Sequence, residues 1–158
     1  MYKRKSILAI IPARKGSKGL KKKNTKLLNG KPLVQWTIEH CRDSLYVDEI
    51  LVSSDDEDVL QIAVSQSVST HVRPKYLSSD VSLMKDTISL LLQQNNYDYL
   101  LLLQPTSPLR TTEDINNAIE YALDNNYKSV VSVCENNKYN ISNTMPDNLS
   151  MKNFLECS

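Results

Sequence analysis

The residues best suited to chemistry form a basic cluster between an apolar run and Asn24. The cluster contains no carboxylate and is interrupted by Gly16 and Gly19. Its cations are Arg14, Lys15, Lys18, Lys21, Lys22 and Lys23. Backbone N–H groups of such a loop, together with Lys and Arg side chains, bind phosphate groups. This spacing predicts a polyphosphate site, and a nucleotide is the first candidate ligand.

The element that must position this loop is the apolar run from Ile7 to Pro12. Its β-branched residues predict a buried strand, which the proline and the basic residues end. The loop therefore begins at the carboxyl edge of a sheet, where open α/β sheets bind ligands.

Further apolar segments alternate with helical patterns along the chain. Strands are predicted over 48–54, 68–72, 99–103 and 129–133. Helices are predicted to carry Val34 to Leu45, Val59 to Ala63, Met84 to Gln94 (with Ile88, Leu91 and Leu92 on one side) and Ile115 to Leu123. Asp55 is expected to cap the second helix, and Thr111 or Thr112 the last. Repeated βα units predict an α/β fold with a mostly parallel sheet and helices on both faces.

The run from Tyr99 to Leu103 has no polar alternation, which predicts a central strand buried on both faces. It leads into Gln104-Pro105-Thr106-Ser107-Pro108-Leu109-Arg110. Two prolines exclude regular structure there. A second loop is therefore expected at the same edge of the sheet as the basic loop.

Composition sets the class of protein. The 158 residues, 41% of them hydrophobic and 23% charged, suit one compact globular domain. The net charge of +1 hides an asymmetry, because the first 31 residues hold more than half of the 19 Lys and Arg and no acid. This favours an anionic ligand near the N-terminal segment, whereas the near-neutral total argues against a dedicated nucleic-acid binder.

Cysteine and histidine residues predict no metal site. Cys41, Cys134 and Cys157 are far apart and lack C-x-x-C spacing, so neither a disulfide framework nor a zinc site is expected. His40 and His71 are isolated and are interpreted as surface or packing residues. The apolar run near the N-terminus is too short for a membrane span, and a reducing cytoplasm is expected.

The glycine pattern matches neither G-x-G-x-x-G nor G-x-x-x-x-G-K-[ST], so a dinucleotide dehydrogenase and a P-loop ATPase are poorly supported. Four segments together resemble the acylneuraminate cytidylyltransferases, or CMP-sialic acid synthetases. They are IPARKGSKG at 11–19, Lys23-Asn24, LSSD at 77–80 and LQPTSPLR at 103–110. The resemblance spans about residues 6 to 134. It implies a Rossmann-like nucleotidyltransferase that joins CTP to a nine-carbon 2-keto acid sugar, with Mg²⁺, releasing pyrophosphate.

The same resemblance assigns roles to particular residues. Arg14 and Lys23 are implied to be catalytic, holding the triphosphate and offsetting charge on the leaving pyrophosphate. The implied nucleotide-binding set is Ala13, Arg14, Lys18, Lys23, Asn24, Arg73, Asp80 and Ser82. Gln104 is implied to face the sugar, and Arg110 is interpreted as a brace for the proline loop.

The metal ligands are unknown from this sequence. In the family resembled, the aspartates that hold Mg²⁺ lie beyond the position of Ser158. Asp55 and Asp56 follow a strand and are a second, weaker possibility, since helix capping explains Asp55 as well. The partners implied are CTP and an acidic sugar, with no nucleic acid and no membrane, and the family suggests a homodimer.

Two departures from the family leave alternatives open. Lys21 stands where many members have proline, and the chain resembles only the N-terminal part of the family. Residues 1–134 are expected to form a CTP-binding nucleotidyltransferase core, and 135–158 to begin an incomplete C-terminal, dimer-forming part. A truncated, non-catalytic CTP-binding fragment or paralogue is the main alternative.

Two further alternatives concern the ligand. The lysine run could contact RNA or DNA phosphates, although no interleaved aromatic residues support this. The same fold could also activate legionaminic, pseudaminic or eight-carbon ulosonic acids in place of sialic acid.

Overall fold

A computed structural model of the chain describes residues 2–16, 19–78, 82–94 and 96–133. Two compact units divide the chain, Met1–Ile119 and Glu120–Ser158. The sheet and the predicted site residues that the structure describes all belong to the first unit. Within the second, the side-chain amide of Asn125 donates to the carbonyl oxygen of Tyr121 at 2.8 Å.

The first unit is built on a parallel sheet. Its strands are β1 Ile7–Pro12, β4 Glu49–Ser54, β5 Ser69–Val72 and β6 Tyr99–Leu102, in the order β5-β4-β1-β6. All neighbouring pairs are parallel, and Ile10 faces Leu51 on one side and Leu102 on the other. Each of these strands confirms a predicted one. Because they are parallel, their carboxyl ends meet at one edge of the sheet.

The helices are α1 Leu33–Arg42, α2 Glu57–Ser65, α3 Lys75–Ser78, α4 Met84–Gln94 and α5 Thr112–Asp124. They bury one stripe each, as an amphipathic helix must. Val34, Ile38 and Cys41 on α1 are fully buried, and so is Leu91 on α4. Two residues that were predicted to belong to the buried faces of helices are exposed. Leu45 lies beyond the end of α1 and is 74% exposed, and Leu92 on α4 is 48% exposed.

A two-residue hairpin connects the basic loop to α1. Strands β2 Leu27–Leu28 and β3 Lys31–Pro32 pair antiparallel. Asn29 and Gly30 between them have φ of 50° and 77°. Asn-Gly is the dipeptide that best tolerates positive φ at both positions of such a turn.

A reciprocal cap begins α5. The hydroxyl of Thr111 accepts from the backbone N–H of Asp114 at 3.1 Å, and the Asp114 carboxylate accepts from the backbone N–H of Thr111 at 2.8 Å. This is the geometry of a capping box, with Asp in the usual place of Glu. Thr111 rather than Thr112 is therefore the cap.

Two predictions about strands are wrong. Strand β6 is an edge strand in the described part of the chain, and Leu102 is 37% exposed. Residues 129–133, predicted as a strand, have no strand conformation, and Val131 and Val133 are 58% and 66% exposed. A β-branched composition fits a strand but does not supply the paired neighbour that a strand needs.

Among the described residues, every helix is too short or too polar to cross a lipid bilayer.

Candidate nucleotide site

A cleft of about 420 Å³ lies at the carboxyl edge of the sheet. It brings together five predicted site residues from four separate segments. These residues are Arg14, Lys23, Asn24, Arg73 and Gln104. Three of them are cations, and none of the described lining residues is a carboxylate. An anionic ligand therefore matches the charge of the cleft.

Ala13 anchors the start of the basic loop. It is buried, its N–H donates to the carbonyl oxygen of Ser53 at 2.9 Å, and its own carbonyl accepts from the Ser54 hydroxyl at 2.6 Å. Ala13 does not line the cleft. Its contacts hold the end of β1 against the end of β4, and Arg14 is the next residue along the chain.

A short 3₁₀ helix, Lys23–Thr25, brings the far end of the basic loop to the same cleft. Asn24 within it is 6% exposed, and its side-chain amide donates to the carbonyl oxygen of Arg14 at 3.1 Å. Lys22 precedes the helix with φ of 52°, in the left-handed region. The two implied catalytic cations, Arg14 and Lys23, therefore lie on one cleft.

Acidic residues at the start of α2 hold the outer part of the loop. The Asp55 carboxylate accepts from the backbone N–H of Lys15 at 2.7 Å. Lys22 pairs with Asp58 at 2.7 Å, and this bond raises the pKa of the lysine and lowers the pKa of the aspartate. Both partners are largely exposed, so the pair orients the loop more than it stabilises the fold.

The predicted cap of α2 needs correction. Asp56, not Asp55, is the N-cap, and its carboxylate accepts from the backbone N–H of Asp58 at 3.3 Å. Both aspartates thus bond backbone N–H groups. Within the described part of the chain, no three His, Cys, Asp or Glu residues are grouped so that they could hold a metal ion.

Arg73 is the deeply placed cation of the cleft. It follows β5 and is 4% exposed. Its Nε donates to the Ser53 hydroxyl at 3.3 Å and its Nη2 to the Ser53 carbonyl at 3.2 Å. Burial lowers its pKa, the Asp55 carboxylate opposes that shift and the Arg14 guanidinium adds to it. Arg73 is thus a charged group fixed at two atoms, as a specific ligand site requires.

Ser53 supports Arg73 through these two bonds, and nothing in the sequence was interpreted as pointing to it. It is completely buried, and its hydroxyl also lies 3.0 Å from Nδ1 of His71. The sequence gives only a weak signal for Ser53. It is a polar residue near the end of an apolar strand, and the loops that follow the neighbouring strands lie at the ligand-binding edge of the sheet.

The proline loop forms the opposite wall of the cleft. Leu103 donates its N–H to the carbonyl oxygen of Ile10 at 3.0 Å, which continues the β1–β6 ladder. Gln104, Pro105 and Thr106 then line the cleft. Arg110 donates from Nη2 to the Gln104 carbonyl at 3.2 Å, as expected of a brace for this loop.

Ser82, another predicted residue, does not line the cleft. The Ser82 hydroxyl donates to the carbonyl oxygen of Leu77 at 2.7 Å, and Met84 is the residue from this region that lines the cleft. Lys18 and Asp80 lie outside the described residues.

Comparison with known families identifies the chain. The family model described as Cytidylyltransferase matches residues 8–151. The chain belongs to the cytidylyltransferase family. The match covers all the described residues that line the cleft, including those of the basic loop, Arg73 and the proline loop.

Three curated relatives of the chain are named for the activation of acidic sugars. CMP-N,N'-diacetyllegionaminic acid synthase of Legionella pneumophila is 45% identical over 80% of this chain and 57% of that protein. N-acylneuraminate cytidylyltransferase of Escherichia coli is 39% identical over 85% and 33%. Pseudaminic acid cytidylyltransferase of Campylobacter jejuni is 35% identical over 81% and 58%. The chain thus spans about a third to three fifths of the length of these relatives.

Solved structures agree on the fold. CMP:2-keto-3-deoxy-manno-octonic acid synthetase, solved in complex with CTP, superposes with a TM-score of 0.68 at 23% identity, over 77% of this chain and 48% of that one. A 4-diphosphocytidyl-2C-methyl-D-erythritol synthase superposes with a TM-score of 0.61 at 14% identity, over 77% and 56%. The predicted α/β, Rossmann-like nucleotidyltransferase fold is confirmed.

Proposed function

We propose that this family member transfers CMP from CTP to a sialic acid or a related 2-keto-3-deoxy acid sugar and releases pyrophosphate. The observation that carries the proposal is the cleft itself, in which Arg14, Lys23 and Arg73 converge without a carboxylate among the described lining residues. The relatives named for sialic, legionaminic and pseudaminic acids support an acidic sugar as the acceptor.

The triphosphate is assigned to Arg14 and Lys23. A guanidinium grips a phosphate with two parallel N–H donors, and a lysine adds a mobile point charge. Nucleotidyl transfer by in-line attack at the α-phosphate asks the protein mainly to position the reactants and to offset the charge on the leaving pyrophosphate. Two cations at one end of the cleft suit that task.

The remaining lining residues are assigned to the nucleoside and the sugar. Arg73 and Asn24 present donors to the nucleoside from the floor of the cleft, since both are buried and fixed by other parts of the chain. Gln104, on the opposite wall, is assigned to the sugar. Lys18, Asp80 and Ser82 remain proposed members of the nucleotide site by resemblance alone.

Mg²⁺ is proposed as the cofactor because a divalent ion bridges and neutralises the phosphates in reactions of this class. The described residues do not fit the ion, since they group no set of three ligands. The ligands implied by the family resemblance lie beyond the position of Ser158, so no step is assigned to the metal here.

The cellular setting follows from the chemistry. Cys41 is a free, buried thiol, which suits a reducing compartment, and the cytoplasm is proposed. A homodimer and a role in polysaccharide biosynthesis are proposed from the family resemblance.

The test is a calorimetric titration of the chain with CTP and, separately, ATP in the presence of Mg²⁺. Preferential binding of CTP is the expected result. Arg14→Ala should abolish most of the binding heat, whereas Lys85→Ala, a cation on α4 that does not line the cleft, should not. A folded chain that binds neither nucleotide would contradict the proposal.

Turnover is tested by pyrophosphate release with sialic, legionaminic, pseudaminic and eight-carbon ulosonic acids in turn. Release with one of them identifies the acceptor. CTP binding without release for any of these sugars would favour the non-catalytic alternative.

A further inference from the structure

Ser53 contacts Arg73 at two different atoms. Its backbone carbonyl accepts from Nη2 at 3.2 Å and its hydroxyl accepts from Nε at 3.3 Å. The same carbonyl accepts from the Ala13 N–H at 2.9 Å. A completely buried serine at the end of β4 therefore links the end of β1 to the cation that follows β5.

The direction of the hydrogen bond between the Ser53 hydroxyl and His71 depends on the tautomer of the imidazole. A guanidinium has only donors, so Arg73 must donate to the Ser53 oxygen. The single hydroxyl proton of Ser53 is then free to donate to Nδ1 of His71, 3.0 Å away. That bond requires an imidazole that is neutral and carries its proton on Nε2. With that tautomer, the three side chains form a chain of donors from Arg73 through Ser53 to His71.

We propose that Ser53 and neutral His71 are positioning residues that hold the Arg73 guanidinium in the cleft. The proposal rests on the proposed function, because it assigns to Arg73 a ligand-facing role. Neither residue lines the cleft, so each acts on the ligand through Arg73. Accordingly, nucleotide affinity is greatest when His71 is neutral and falls when it is protonated.

Electrostatics support this arrangement. Burial and the nearby Arg73 lower the pKa of His71, which keeps the ring neutral near pH 7. On strand β4 the His71 ring contacts Ser53, which is uncharged. No charge on the described residues of α2 shifts the pKa of His71. Asp55 and Arg14 act on Arg73 itself. Protonation of His71 would place another cation beside Arg73 and turn Nδ1 from an acceptor into a donor.

The experiment compares variants that keep or remove the acceptor at Nδ1. His71→Asn places an amide oxygen near that position, whereas His71→Leu has no acceptor. Ser53→Ala removes the hydroxyl and retains the carbonyl. Ser69→Ala, an exposed serine on the same strand as His71, is the matched control. Circular dichroism checks folding, and the two His71 variants keep the test decisive if Ser53→Ala does not fold.

Affinity for CTP is measured by calorimetry from about pH 8 down to a pH at which nitrogen-15 NMR shows the His71 ring to be protonated, because burial and Arg73 lower the pKa of this ring. Because a phosphate group also titrates near pH 6, the comparison is between proteins at each pH. Wild type should lose roughly three- to tenfold more affinity over this range than His71→Asn, since a hydrogen bond to a charged group is at stake. His71→Leu and Ser53→Ala should bind weakly at every pH, and Ser69→Ala should follow wild type.

Nitrogen-15 NMR tests the same contacts without nucleotide. The His71 ring should be the Nε2–H tautomer, and the Arg73 Nε–H should exchange slowly with water in wild type and faster in Ser53→Ala. An Nδ1–H tautomer, or equal pH dependence in wild type and His71→Asn, would overturn the proposal. If wild type binds no nucleotide, the proposed function fails, and the spectra alone decide whether Ser53 and His71 hold Arg73.

Discussion

The side-chain amide of Asn24 donates to the carbonyl oxygen of Arg14 at 3.1 Å and so ties the two ends of the basic loop together. Asn24 is 6% exposed, which removes this bond from competition with bulk water. The bond sets the distance between Arg14 and Lys23, the two cations assigned to the triphosphate. A residue implied by resemblance to contact the nucleoside thus also shapes the proposed phosphate site.

Asn24→Ala should therefore impair binding beyond the loss of one contact. We expect CTP affinity to fall about tenfold and the melting temperature to fall by about 2 to 4 °C, as for one buried hydrogen bond. Calorimetry and thermal denaturation measure the two effects. Asn117→Ala, an exposed asparagine on α5, is the control. A variant with lowered stability and wild-type affinity would contradict the role of Asn24 in the site.

Arg14 should matter for binding far more than for folding. Arg14→Ala is expected to weaken CTP binding by at least about tenfold, because a bidentate, charge-assisted contact is lost. Arg14→Lys should recover only part of it, since an ammonium cannot present a planar fork. Thermal stability should change little, because a loop cation contributes little to packing. Loss of folding with unchanged affinity would refute the assignment.

The sequence was sufficient for the four strands of the sheet and for the cations, because both depend on local patterns. An apolar, β-branched run such as Ile7–Pro12 can be buried in few ways, and the run of basic residues after it has no acid to neutralise it. Parallel strands then place the loops after β1, β5 and β6 at one edge without further information. This is why Arg14, Arg73 and Gln104 lie together as predicted.

Details that depend on exact backbone geometry could not be predicted. Asp55 and Asp56 are adjacent carboxylates, and only the path of the chain decides that Asp56 caps α2 while Asp55 accepts from Lys15. The role of Ser53 likewise depends on a neighbour, Arg73, that is distant in sequence. Burial of Leu102 required a partner strand beyond β6, and none is formed in the described part of the chain.

The position of β6 gives a direct test of the fold through two cavity-forming substitutions. Ile10 is completely buried, and Leu102 beside it is 37% exposed. Ile10→Ala should cost roughly 2 to 5 kcal/mol of unfolding free energy. Leu102→Ala should cost clearly less, since part of that side chain is already in water. Urea denaturation of both variants measures the difference, and equal costs would show that Leu102 is a core residue.

Asp98 should make the stability of the fold depend on pH in the acid range. Its carboxylate bonds Lys5 at 2.8 Å and accepts from the N–H and the hydroxyl of Ser6 at 2.9 Å, which together lower its pKa from 3.8 to about 2. Because the folded pKa is depressed, its stabilisation is complete above pH 3.8 and is lost as the pH falls towards 2. In thermal denaturation, the melting temperature of wild type should exceed that of Asp98→Asn at about pH 6, and the difference should disappear at about pH 2. A difference that is constant with pH would mean that the charge of Asp98 does not support the start of β1.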